Sequence, residues 1–180
     1  MRPKSICANN EPFDFSERHS ILIRALPRSI LDCTRHYRLN DDALFRAALF
    51  LRGLPAHLLQ APSPPALELE DFTLLSVTDR SLVYGLKGAF WHTDYGLRRF
   101  DTPIEFFGNR DASLATLILS FTTAPATQGR TRLVTQTHVL CPTRHVRRRF
   151  LPYWVVIRLG SGLLRRRMLS QIKAQCERRA

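Results

Sequence analysis

The chain is short of acid, of clustered cysteine and of long apolar runs, and each shortage removes a class of protein. Its 180 residues carry 15 Asp and Glu against 27 Lys and Arg. The four cysteines, Cys7, Cys33, Cys141 and Cys176, are scattered. With no Cys-x-x-Cys pair and no histidine at zinc-ligand spacing, neither a metal site nor a disulfide framework is indicated, and the thiols are expected to be reduced and partly in the core. No apolar run approaches the roughly 18 residues of a membrane span. The first fifteen residues are polar and lack the apolar stretch of about 7–15 residues that marks a signal peptide. A soluble, cytoplasmic protein is therefore the expectation. There is no P-loop spacing, no cofactor motif, and no pair at a recognisable catalytic spacing among Asp14, Glu17, Glu68, Glu70, Asp71 and Glu105.

What is abundant is positive charge, and it is uneven. Residues 143–180 hold eleven Lys or Arg and one Glu, whereas residues 1–142 hold sixteen basic and fourteen acidic residues. Most of the formal charge of +12 thus sits in the last forty residues. In that stretch Val146, Phe150, Tyr153, Trp154, Ile157, Leu164, Met168, Leu169 and Ile172 recur at the spacing of one helical face. A long amphipathic helix is predicted. Gly160 and Gly162 cost about 1 kcal/mol each against alanine inside a helix, so a kink or a break is predicted there, with Ser161 as cap of a second segment. Arginines 147–149 and 165–167 flank the glycines. They read as a solvated outer face, or as an anion site for nucleic acid, acidic lipid or an acidic partner. Arg165 and Arg166, just after the glycines, are the candidate anion contacts.

Upstream, residues 19–25 read as an opening strand ending at Pro27. Pro27 starts a helix through about Arg38, and Asn40 caps a second, with Asp41 and Asp42 in its first turn. Gly53 and Pro55 end that helix, and four prolines make residues 53–66 a semi-rigid connector. Strands are predicted near 68–78, 81–91, 100–109, 112–123 and 131–141, with Gly85 and Gly88 marking a bulge or a close backbone approach. The length suits one domain over residues 1–180, with 1–15 a flexible N-terminal segment. The fold class is α+β.

The phrases HSILIRALPRSIL, VYGLKGAFW, GRTRLVTQTHVLCP and RRRFLPYWVVIRLGSGLLRRRML resemble the bacterial SRPBCC branch of the START-like, or Bet v 1-like, superfamily. That resemblance implies a helix-grip fold, in which a curved antiparallel sheet wraps a long C-terminal helix, with two short helices after the first strand. It also implies a cavity between sheet and helix for a lipid or other small hydrophobic molecule. His138 departs from the pattern, which has a longer polar residue or an arginine there. No catalytic constellation carries over.

Tyr84, Phe90, Trp91, Phe106, Phe121, His138, Phe150 and Trp154 are the candidate cavity-lining residues, since ligand sites are mostly apolar with a few polar groups. Aromatics at this spacing also serve as plain core. The expected function is noncatalytic binding of a small hydrophobic ligand with an anionic group, the glycines letting the second helical segment act as a gate. The alternatives are a cyclase- or dehydratase-type enzyme using His138 or His92, the latter beside Asp94, and a basic helix docking on nucleic acid or anionic membrane.

Overall fold

The structure is a computed structural model that describes residues 13–37, 69–92 and 94–178, with only the backbone at 70 and 159–161. The predicted second helix and the proline-rich connector lie outside the described residues, as does most of the N-terminal segment.

Strand β1 (Phe15–Ile23) leads into helix α1 (Pro27–Arg35), where Pro27 occupies the first turn and loses no hydrogen bond by lacking an N–H. A single 3₁₀ turn (Leu69–Asp71) precedes β2 (Thr73–Thr78) and β3 (Ser81–Gly88), joined by Asp79 and Arg80. Helix α2 (Pro103–Gly108) follows, then β4 (Ala115–Pro125), β5 (Thr131–Leu140) and helix α3 (Arg144–Glu177). The strands form one open, curved antiparallel sheet in the order β1-β5-β4-β3-β2. Four of them are consecutive, and β1 returns to pair with the last.

The predicted strand at 100–109 is replaced by α2. Thr102 accepts a hydrogen bond from the Glu105 N–H at 3.2 Å, Pro103 opens the first turn, and the Glu105 carboxylate reaches back to the Asp101 N–H. A threonine followed three residues later by glutamate, with proline at the first helical position, is a helix start, and it outweighs the β-propensity of Ile104, Phe106 and Phe107. The predicted break in the last helix is also absent, since the assignment runs unbroken through Gly160 and Gly162 from the Thr143 cap.

Alternation along the strands sorts the sheet into two faces. Phe15, Glu17, His19, Ile21 and Ile23 of β1 register with Val139, Thr137, Thr135, Leu133 and Thr131 of β5. The same row continues through Leu117, Leu119 and Phe121 of β4 to Leu86, Tyr84 and Leu82 of β3. Helix α3 covers this face and runs along β1. Its first half packs Val146, Phe150 and Trp154 with Leu86, Phe90, Tyr95 and Val139. Its second half packs Met168, Leu169, Ile172 and Cys176 with Tyr84, Phe121, Leu133 and α1. Polar ties fix both ends. Asp14 accepts from the Cys141 N–H at 2.8 Å and meets Arg147 at 3.2 Å. Lys173 donates to the Leu22 carbonyl at 3.0 Å, and the Tyr37 hydroxyl donates to Gln171 at 2.6 Å.

Helix α2 lies on the opposite face. Phe106 rests where a side chain on Gly85 would be, and the buried Lys87 donates to the Asn109 carbonyl at 2.6 Å while sitting 5.0 Å from the Phe106 ring. Burial pushes the Lys87 ammonium below its ordinary value, and Asp111 opposes that shift. The predicted close approach at Gly85 and Gly88 is therefore present, while the sheet's register shift falls between Leu74 and Ser76.

Candidate functional site between the sheet and the long helix

Between the two apolar clusters, midway along α3, the covered face of the sheet turns polar. Glu17 and His19 stand on the same row of β1 as Phe15, Ile21 and Ile23, so the strand's period of two carries a carboxylate and an imidazole under the helix. The two side chains are 2.6 Å apart, with side-chain exposures of 12% and 16%. Across the ladder, Thr135 and Thr137 are buried at the same level. Arg165 comes down from α3 and donates to the Thr135 hydroxyl at 3.0 Å. Burial pushes the Arg165 guanidinium below its ordinary value, and the Glu17 carboxylate opposes that shift. The Thr137 hydroxyl is buried with no hydrogen-bond partner among the described residues.

Gly162 roofs this group. A Cβ placed on it would sit 3.8 Å from His19 Cε1 and 3.9 Å from Glu17 Oε1. One carboxylate thus faces a guanidinium, an imidazole and two hydroxyls inside an otherwise apolar interface. Such a set can hold an anionic group by charge-assisted hydrogen bonds, because a guanidinium offers five N–H donors, more than one hydroxyl uses. It can also move a proton, because a carboxylate in contact with an imidazole orients it.

The candidate residues of the sequence divide among several places. Tyr84 and Phe121 belong to the cluster at one side of the polar group, with rings 6.4 Å apart in edge-on contact. Phe90, Phe150 and Trp154 belong to the cluster at the other side, and Phe15 joins them at 5.2 Å from Phe150. Phe106 and His138 lie on the far face of the sheet, away from α3. His138 registers with Ser16 and Ile118, stacks on Phe13 at 4.1 Å, and has its Nδ1 buried with no partner among the described residues. Burial pushes its imidazole below the ordinary value. Arg165 enters the interface, whereas Arg166 is exposed.

His92 and Trp91 line a separate, half-open cavity of about 360 Å³ at the start of α3, with Ser113, Thr143, His145 and Arg149. His92 is exposed there, and so is Asp94 nearby in the chain. Cys33, Cys141 and Cys176 are buried and form no disulfide among the described residues, and burial beside Asp14 pushes Cys141 up to about 12. Among the described residues no group of three His, Cys, Asp or Glu side chains could hold a metal ion, and no helix is long and apolar enough to cross a membrane.

Glu17, His19, Thr135 and Thr137 are absent from the sequence-based candidates, although their strand parity with Ile21, Ile23, Leu133 and Val139 carries the signal. No family model matches the chain, and neither a curated protein nor a solved structure does.

Proposed function

We propose that the chain is a helix-grip protein of the START-like, SRPBCC kind, and that it binds a small apolar molecule through an anionic head held by Arg165. The observation that carries this reading is a guanidinium placed between two apolar clusters. Charge in such a position is costly, and an apolar set of similar volume in place of Glu17 and Arg165 together would serve stability as well or better. Its retention is accounted for if the guanidinium meets a ligand. The head group takes N–H donors from Arg165 and the hydroxyl of Thr137, and the apolar body lies against the aromatics on either side. Arg166 faces outward and takes no part. Gly162 keeps the roof of the site thin.

The test is titration of the protein with decanoate, followed by native mass spectrometry, with decanol as the uncharged control. Saturable binding of one decanoate, weakened about tenfold or more in Arg165→Met and absent with decanol, is expected. Equal binding of acid and alcohol, or an unaffected Arg165→Met variant, contradicts the assignment.

A second reading of the same site is favoured by the Glu17 to His19 contact. In it His19 takes a proton from the bound molecule, as a cyclase or dehydratase requires, and Glu17 holds the imidazole in place. This replaces His138 and His92 as proton carriers. Loss of turnover with retained ligand binding in His19→Asn separates it from simple binding.

A further inference from the structure

The face of α3 that points away from the sheet has a composition that the packing of the described residues does not require. Leu151, Val155, Val156 and Leu163 are 49%, 52%, 70% and 62% exposed. A helix advances about 100° per residue, so Val156 and Leu163, seven apart, lie in one row within about 20° of each other. Arg149 shares that row. Arg148, Val155 and Arg166 form the neighbouring row by the same arithmetic. Both rows lie opposite Val146, Phe150, Trp154 and Met168, which are buried against the sheet. The exposed aliphatic patch is thus bracketed by exposed arginines, about 27 Å apart along the axis from Arg148 to Arg166 at 1.5 Å per residue. No acidic residue occurs on the helix before Glu177.

We infer that this face docks the protein on an anionic lipid bilayer, the aliphatic tips entering the headgroup boundary and the arginines meeting lipid phosphates. Three features select a bilayer over other acidic partners. The patch between the arginines is aliphatic, with Val155, Val156 and Leu163 at its exposed positions. The aromatics that could stack on bases, Phe150, Tyr153 and Trp154, pack inward with the core. Positive charge flanks the apolar tips on both sides along one continuous helix, the arrangement of an interfacial helix. The inference rests on the outer face alone and stands whether or not Arg165 holds a ligand.

Co-sedimentation of the full chain with phosphatidylglycerol-containing vesicles, against pure phosphatidylcholine vesicles, tests it. Binding to the anionic vesicles only, falling as salt is raised, is expected. The doubly substituted Val156→Asp, Leu163→Asp and Arg148→Glu, Arg166→Glu variants alter exposed positions, and unchanged circular dichroism checks that both fold. Each is expected to bind about tenfold more weakly or worse. Wild-type binding by the Asp variant overturns the insertion of the aliphatic tips, and so does wild-type binding by the Glu variant for the arginine contacts. Displacement of the protein from vesicles by duplex RNA at equal phosphate concentration overturns the choice of a bilayer.

Discussion

Gly85 has no side chain because Phe106 occupies the place of one. A Cβ there would lie 2.5 Å from Phe106 Cζ and 2.7 Å from Leu75 Cδ1, both in buried side chains. Gly85→Ala is expected to destabilise the fold by about 1–3 kcal/mol, the usual cost of overpacking, measured by urea denaturation. His138 on the same face makes a prediction in pH. Its folded value is lowered by burial, so the neutral imidazole is favoured in the native state. Its contribution is present above the unfolded value of about 6.5 and is lost as pH falls below it. Between neutral and mildly acid pH, wild type is expected to lose more stability than His138→Phe, which keeps a ring against Phe13. Equal losses would remove His138 from the account. At this scale Glu17 shows why the site was hard to read. With the strand begun at His19, Glu17 falls in a loop, and the carboxylate's neighbours, Thr137 across the ladder and Arg165 on α3, are separated from it by most of the chain.

At the scale of elements, α3 contradicts its own local propensities. Pro152 lies inside it and offers no N–H to the Arg148 carbonyl, and Gly160 and Gly162 follow within three turns. Propensity alone predicts a break, and the continuous helix is held by tertiary packing at both ends, through Phe150 and Trp154 before the glycines and through Met168, Leu169 and Ile172 after them. Replacing Pro152 by Ala is expected to stabilise the protein by about 1–3 kcal/mol, because Pro152 is exposed and its removal opens no cavity. Gly162→Ala is expected to add about 0.5–1 kcal/mol, since its Cβ meets His19 and Glu17 at ordinary contact distance. A drop in thermal midpoint for both would mean that the helix bends at these residues by necessity. Helix α2 is the converse case, where the start signal at Thr102, Pro103 and Glu105 was legible and the apolar residues after it were read as a strand.

For the whole molecule, the strands other than the one placed at 100–109 and the identity of the covering helix were legible, because periods of two and of about 3.6 report which face is buried. The α+β class, the antiparallel sheet and the inward stripe of α3 follow from that. The two-faced character of the sheet was not legible. Phe106 and His138 are aromatic like the core, and only the packing of α2 over Gly85 and the register of β4 with β5 put them on the far side. Likewise the division of the interior into two apolar clusters with a polar belt between them is a property of the assembled sheet. That belt is where the account places function. It costs stability: replacing Glu17 and Arg165 together by apolar residues is expected to leave the fold as stable or more so, whereas Arg165→Met alone, which leaves the Glu17 carboxylate without its cation and the Thr135 hydroxyl without its donor, is expected to destabilise it by about 3–5 kcal/mol.

The measurement that bears most directly on this is native mass spectrometry of wild-type and Arg165→Met proteins as purified, with denaturation to release and identify any bound molecule. The account predicts one apolar molecule with an acidic head on the wild type and none on the variant. An empty wild-type protein that also ignores added decanoate, or a ligand retained equally by both proteins, would contradict it.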